Sequence, residues 1–143
     1  MALYVIEVDL PPMMCSSNWH GQSRRAGMKR SSVVKQYRND CCVLFTQAAK
    51  SLKIPCPLPF VTLHLDFYQA RIVGDRSKCI SLDISNAISS FKAGQDALAD
   101  AGIVASDSHK HVAQGNVRLL NTKKEHGGKR CISVTIETKE SND

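Results

Sequence analysis

The sequence predicts an α+β fold, in which a small mixed four-stranded sheet carries two main helices packed on one face. Four segments alternate apolar and polar residues as strands do, and two longer ones repeat apolar residues every three to four positions as helices do. Their order is β-α-β-α-β-β. Of 143 residues, 43% are hydrophobic, enough for one core. Residues 1–138 are therefore expected to form a single domain, followed by a polar tail at 139–143.

The first strand is predicted at residues 3–10, because LYVIEVDL alternates and two prolines then remove backbone donors. A basic loop, 13–31, follows; it is rich in Ser, Gly, Arg and Asn and has no sustained period. A helical repeat begins at Ser32 behind a serine N-cap and continues to Leu52. Prolines at alternate positions from 55 to 59 then end the helix.

The second strand is predicted at residues 60–68, where FVTLHLDFY alternates. The second helix is expected to start at Ser85 or Asn86 and to run without a break to Ala101, where Gly102 stops it.

The third and fourth strands are predicted at residues 112–121 and 131–138. The pair Gly127-Gly128 lies between them and tolerates the positive φ of a tight turn. We therefore expect these two strands to form a hairpin.

The charge balance favours an anionic partner. Lys and Arg total 19 against 13 Asp and Glu, which gives a net charge of +6 and a pI near 9.1. Between Leu10 and Asn39 the chain has no acidic residue, and this stretch is predicted to contact nucleic-acid phosphates; a solvated loop without a partner is the alternative. Its basic residues are Arg24, Arg25, Lys29, Arg30, Lys35 and Arg38.

The composition also indicates the compartment. The six cysteines include no CxxC pair and are interpreted as reduced thiols. The apolar N-terminal run is interrupted by Glu7 and Asp9, and no apolar stretch approaches the ~18 residues of a membrane span. A cytoplasmic protein without a membrane partner is expected.

The densest functional signal lies between residues 82 and 107. It reads DISN at 83–86, Lys92, DALADAG at 96–102, and Asp107. Asp83 precedes the long second helix and Asp107 follows it. These two carboxylates can converge only if the chain returns through a folded-back loop, or if a partner element supplies one of them.

These elements resemble the RusA-like endodeoxyribonucleases of bacteria and their phages. The signature of that family is D-x-D-N, a Lys, D-A-L-x-x-A-G and an acidic residue, in this order. The resemblance covers almost the whole chain, because further positions also look like the family: Pro11, Pro12, Ser17, Asn18, Tyr37, Arg38, Gly127 and Gly128.

The resemblance implies a homodimer that binds Mg²⁺ or Mn²⁺ and introduces paired nicks across a four-way (Holliday) DNA junction, in recombination and repair. It places Asp83 and Asp107 as catalytic, metal-binding carboxylates and Lys92 as the phosphate or transition-state contact. Asn18 and Asn86 join the basic residues in binding DNA. Hard divalent ions do take oxygen ligands, and a symmetric junction requires two sites related by a twofold axis. No small-molecule cofactor is expected.

Two positions depart from the family pattern. Ser85 stands where the second Asp is often found, and it is either a weak, neutral metal ligand or the N-cap of the second helix. Lys92 follows Asn86 by six residues instead of three, which shifts its position by roughly 5 Å along a helix. At that position Lys92 either contacts a phosphate or is a solvated lysine. Asp75, in the preceding loop, is a candidate replacement ligand.

Other acidic and histidine residues receive structural interpretations. Asp96 and Asp100, four residues apart, are expected on a solvated helix face or at a dimer contact. His109 and His111 permit a transition-metal site, but no third soft ligand lies in register.

Two other functions remain open. The first is a junction-binding protein of the same fold whose catalysis is weakened by the substitution at Ser85 and the shift of Lys92. The second is a small RNA-binding module, which fits the charge but lacks the interleaved aromatic residues of an RNA-binding strand.

Overall fold

The computed structural model describes residues 1–12, 15, 24–70, 84–122 and 129–139, and these confirm a mixed α+β fold with one four-stranded sheet. No helix within these ranges is long and apolar enough to cross a membrane. The elements are β1 (Leu3–Asp9), α1 (Arg24–Ser51), β2 (Val61–Ala70), α2 (Ile84–Ser90), α3 (Lys92–Asp100), β3 (Val112–Asn121) and β4 (Cys131–Thr138).

The sheet has the strand order β1-β4-β2-β3 and contains both kinds of pairing. β4 is antiparallel to both β1 and β2, whereas β2 is parallel to β3. Parallel strands need a crossover connection, and the helices supply it: α1 lies between β1 and β2, and the pair α2 and α3 lies between β2 and β3.

The predicted hairpin of the last two strands is wrong, because β3 and β4 are not neighbours in the sheet. β4 is among the most buried segments of the chain: Cys131, Ile132, Val134 and Ile136 have no exposed surface. A strand of this kind is stabilised more in the centre of a sheet than at an edge, so β4 pairs between β1 and β2. β3 is more polar and takes the edge.

The core lies on one face of the sheet, where alternate strand residues meet buried residues of the helices. The opposite face carries polar side chains together with the exposed apolar residues Leu3 and Val5. There His64 pairs with Glu137 and Arg118 pairs with Asp66, across neighbouring strands. The buried strand residues on the helix-covered face are Ile6, Val8, Val61, Leu63, Leu65, Phe67, Val112, Ile132, Val134 and Ile136.

The first helix is longer than predicted. α1 begins at Arg24, about two turns before the predicted start at Ser32, so residues 24–31 of the predicted basic loop are helical. Residues 24–31 have no apolar residues at helical spacing, so hydrophobic periodicity does not reveal these two turns. They do contain Arg, Ala, Met and Lys, which favour helix on intrinsic grounds. Residues 13, 14 and 16–23 of that loop lie outside the described ranges.

The second predicted helix is broken in two at Phe91, so the expectation of one continuous helix is wrong. The ring of Phe91 is buried edge-on against Phe67, with 6.5 Å between the ring centroids. Just before it, Ser90 donates its hydroxyl hydrogen to the carbonyl of Ala87. Such bonds compete with the helical ladder, and the Phe91 amide is shared between two carbonyls at 3.3 and 3.2 Å.

The end of α3 matches the prediction and directs the next loop. Gly102 has φ of +79°, and the amides of Gly102 and Ile103 bond to the carbonyls of Ala99 and Leu98, which forms a Schellman cap. The amide of Leu58 then bonds to the carbonyl of Ile103 at 2.7 Å. The chain is thus anchored beside the sheet as it turns back along α3.

Gly94 provides a test of the packing around Phe91. A Cβ at Gly94 would lie 2.2 Å from the Phe91 ring, whereas a Cβ at Gly27 in α1 meets no atom within 4 Å. We expect Gly94→Ala to lower the free energy of unfolding by about 1–3 kcal/mol through overpacking. Gly27→Ala should raise it by about 0.5–1 kcal/mol, because alanine favours helix. Urea unfolding of both variants measures this, and equal effects would contradict the packing described.

Candidate functional site

Lys92, Asp96 and Asp107 form a cluster on the surface of α3. The ammonium of Lys92 donates hydrogen bonds to Asp96 Oδ1 at 2.8 Å and to Asp107 Oδ2 at 2.5 Å. Lys92 and Asp96 are four residues apart in α3 and therefore share one helix face. One cation thus bridges two carboxylates from different parts of the chain.

A folded-back loop brings Asp107 to this helix face. The loop between α3 and β3 is fixed at its far end by His111, whose carbonyl accepts a bond from the Val61 amide at 2.9 Å. The His111 ring also donates from Nδ1 to the Pro59 carbonyl at 3.1 Å. The loop thus carries Asp107 to Lys92. The predicted convergence of Asp107 with Asp83 stays a prediction, because Asp83 lies outside the described residues.

The cluster is electrostatically polarised. The Lys92 ammonium lowers the pKa of the Asp107 carboxyl to about 2, and the Asp96 side chain acts in the same direction. Reciprocally, the hydrogen bonds to Asp107 and Asp96 raise the pKa of Lys92. At neutral pH the site therefore presents an ammonium and an anionic Asp107 together.

Arg38 connects this cluster to α1. Its guanidinium donates two hydrogen bonds to Asp100, at 2.6 and 2.8 Å, and lies 3.8 Å from Asp96. This pairing lowers the pKa of Asp100. Arg38 is therefore held between the two helices with one side toward the carboxylates.

A groove between α1 and the α2–α3 pair adjoins the cluster. Its volume is about 810 Å³, and its cationic lining residues are Arg30, Lys35 and Arg38 of α1 and Lys92 of α3. Asp96 also lines it. The basic side of α1 thus faces the same space as the Lys92 cluster, which favours an anionic ligand along the groove.

The other predicted site residues are placed as follows. Lys29 is exposed in α1, and Asn86 is half-buried in α2. Ser85 is exposed in the first turn of α2, which begins at Ile84, so the interpretation of Ser85 as the N-cap of this helix is wrong. Arg24 and Arg25 lie in the first turn of α1. Asp83, Asp75 and Asn18 lie outside the described residues.

Asp96 and Asp107 offer the carboxylate oxygens that hard divalent cations bind, but the Lys92 ammonium occupies the point on which they converge, so a metal ion there would have to displace it. Within the described ranges, no group of three or more His, Cys, Asp or Glu side chains is placed to hold a metal ion. A third protein ligand would therefore have to come from elsewhere, and Asp83 directly precedes α2.

Sequence reasoning missed the involvement of Asp96 and Asp100 in this network. It placed them on a solvated face or at a dimer contact, whereas they pair with Lys92 and Arg38. The i,i+4 spacing of Lys92 and Asp96 was a usable signal. The pairing of Arg38 with Asp100 depends on how α1 packs on α3, and no local pattern encodes that.

A scan of the chain against protein-family models finds no match, and a search among curated proteins finds no match either. The function is therefore inferred from the residues and their geometry.

Replacement of Lys92 tests the electrostatics of the cluster. In Lys92→Met the ammonium is lost, so the pKa of Asp107 should rise from about 2 toward its ordinary value of 3.8. Carboxyl ¹³C chemical shifts followed through a pH titration measure this change. Asp100 is the internal control, since its partner is Arg38 and its lowered pKa should persist. An unchanged titration of Asp107 would show that Lys92 is not its partner in solution.

Proposed function

We propose that this protein is a metal-dependent, structure-selective endodeoxyribonuclease that nicks four-way DNA junctions. The observation that carries the proposal is the convergence of Lys92, Asp96 and Asp107 at the edge of a groove lined by basic residues. The resemblance of the 83–107 segment to RusA-like nucleases supports the same reaction.

The residues of the cluster have distinct roles in this proposal. Lys92 is 61% exposed, so its ammonium is accessible to a ligand. A phosphate oxygen accepts hydrogen bonds as a carboxylate oxygen does. In the proposed complex, the Lys92 ammonium releases one of its two carboxylates and donates to the scissile phosphate instead. Asp107 stays anionic because its pKa is low, and it orients the ammonium.

Asp107 and Asp83 would hold the divalent cation, Mg²⁺ or Mn²⁺, with Asp96 beside them and Ser85 as a weaker, neutral ligand. Such an ion neutralises charge on the attacking and leaving oxygens of a phosphodiester.

Arg30, Lys35 and Arg38 would bind the phosphates that flank the cut, and their position along the groove next to Lys92 supports this role. A four-way junction has two equivalent strands to cut, and paired nicks need two sites related by a twofold axis. The proposed enzyme therefore acts as a homodimer.

The activity is tested on a labelled synthetic four-way junction and a linear duplex of matching sequence, each incubated with Mg²⁺, Mn²⁺ or EDTA. We expect metal-dependent nicks that are paired across the junction and absent from the duplex. Asp107→Asn should lower the rate by at least about a hundredfold, because it removes an anionic ligand and the partner of Lys92.

Asp66→Asn is the matched control. Asp66 pairs with Arg118 on the opposite face of the sheet, so this variant changes the same charge away from the groove and should cut at the wild-type rate. Wild-type cutting by Asp107→Asn would rule out the assigned site.

A junction-binding protein with weakened catalysis is the second candidate, and Ser85 favours it. Its exposed hydroxyl is neutral, whereas hard cations bind most strongly to anionic oxygen. We expect Ser85→Asp to raise the rate of metal-dependent nicking about tenfold or more if this loss limits the wild type. Ser85→Ala is its control. Equal rates in all three proteins would show that position 85 does not limit catalysis.

A further inference from the structure

The groove between α1 and the α2–α3 pair has two chemically different parts. Its rim carries Arg30, Lys35, Arg38 and Lys92, of which Lys35, Arg38 and Lys92 are exposed. Binding the phosphates of a smooth duplex backbone requires only a surface of this kind. Basic side chains alone therefore do not explain why there is a groove between the helices.

The floor of the groove is largely apolar. Cys15 and Ala93 are buried, at 8% and 6% exposure, and Val34 packs half-buried against the core. The hydroxyl of Ser90 also lies at the floor, but it donates its hydrogen to the Ala87 carbonyl at 2.8 Å. The floor therefore presents mainly apolar surface to a ligand.

Two exposed residues that line the groove can form hydrogen bonds with a ligand. Asn39 offers both a donor and an acceptor, and Ser31 offers a hydroxyl. With a volume of about 810 Å³, the groove falls in the range of small-molecule sites. It is suited to a flat ring with polar edges that is attached to an anion.

We infer that this groove binds one unstacked nucleotide of a DNA strand, with its base against Val34 and Ala93 and its phosphate at Arg38 and Lys92. The inference rests on the proposed function and specifies its substrate. A base inside a paired duplex remains stacked and cannot enter the groove, whereas a nucleotide without a partner can. The groove would thus select an interrupted duplex, or a branch point at which a base is unstacked, over continuous duplex.

Binding is measured by fluorescence anisotropy in EDTA, so that the result does not depend on cleavage. The probes are a labelled duplex with a single unpaired nucleotide and the same duplex fully paired. Wild-type protein should bind the interrupted duplex about tenfold more tightly, because one base leaves water for an apolar surface. Val34→Trp fills the groove and should reduce this preference to less than about twofold.

Val43→Trp is the matched control, since Val43 is a 55% exposed residue of the same helix and does not line the groove. It should keep the tenfold preference. Gly27→Trp is a second blocking variant, usable if Val34→Trp does not fold, because Gly27 lines the groove and has open space at its Cβ. It should also abolish the preference.

Equal binding of the two probes by the wild type would overturn the inference, and so would a preference that survives in a folded blocking variant. These outcomes are distinct from a failure of the proposed function, which would appear as the absence of metal-dependent nicking on the four-way junction.

Discussion

The packing of α1 on α3 is the interaction on which the candidate site depends. Tyr37, Cys41 and Phe45 of α1 are buried in the same core as Ala97 and Leu98 of α3. Because these inner faces are fixed against one another and against the sheet, the outer faces form one continuous surface. This surface contains the groove, with the basic side of α1 on one side and the Lys92 cluster on the other.

The ion pairs on this surface orient the charged side chains of the site, and they contribute little to the free energy of unfolding. Arg38 and Asp100 are 44% and 36% exposed, and pairs at such exposure typically contribute less than about 1 kcal/mol. Burial of one large apolar side chain, such as Phe45, contributes about 1.5–3 kcal/mol. The core therefore holds the helices together, and the surface charges can be changed without unfolding the protein.

The sequence predicted the elements better than their arrangement. The bounds of β3 and β4 were predicted correctly, because alternation is a local signal. Their pairing was not, since the burial of β4 between two other strands depends on the whole sheet. In the site, Lys92 and Asp107 were each named only through a resemblance, and the ion pair between them was not predicted. The bridge from Arg38 to Asp100 arises from tertiary packing and has no sequence period.

The proposal that a divalent cation binds at Asp107, beside Lys92 and the basic groove, is tested most directly by paramagnetic NMR. Substoichiometric Mn²⁺ added to ¹⁵N-labelled protein broadens amide signals close to the bound ion. We expect broadening centred on residues 92, 96 and 107, with the amides of Asp66 and Glu137 on the opposite face unaffected. Broadening centred on that opposite face, or none at all, would contradict it.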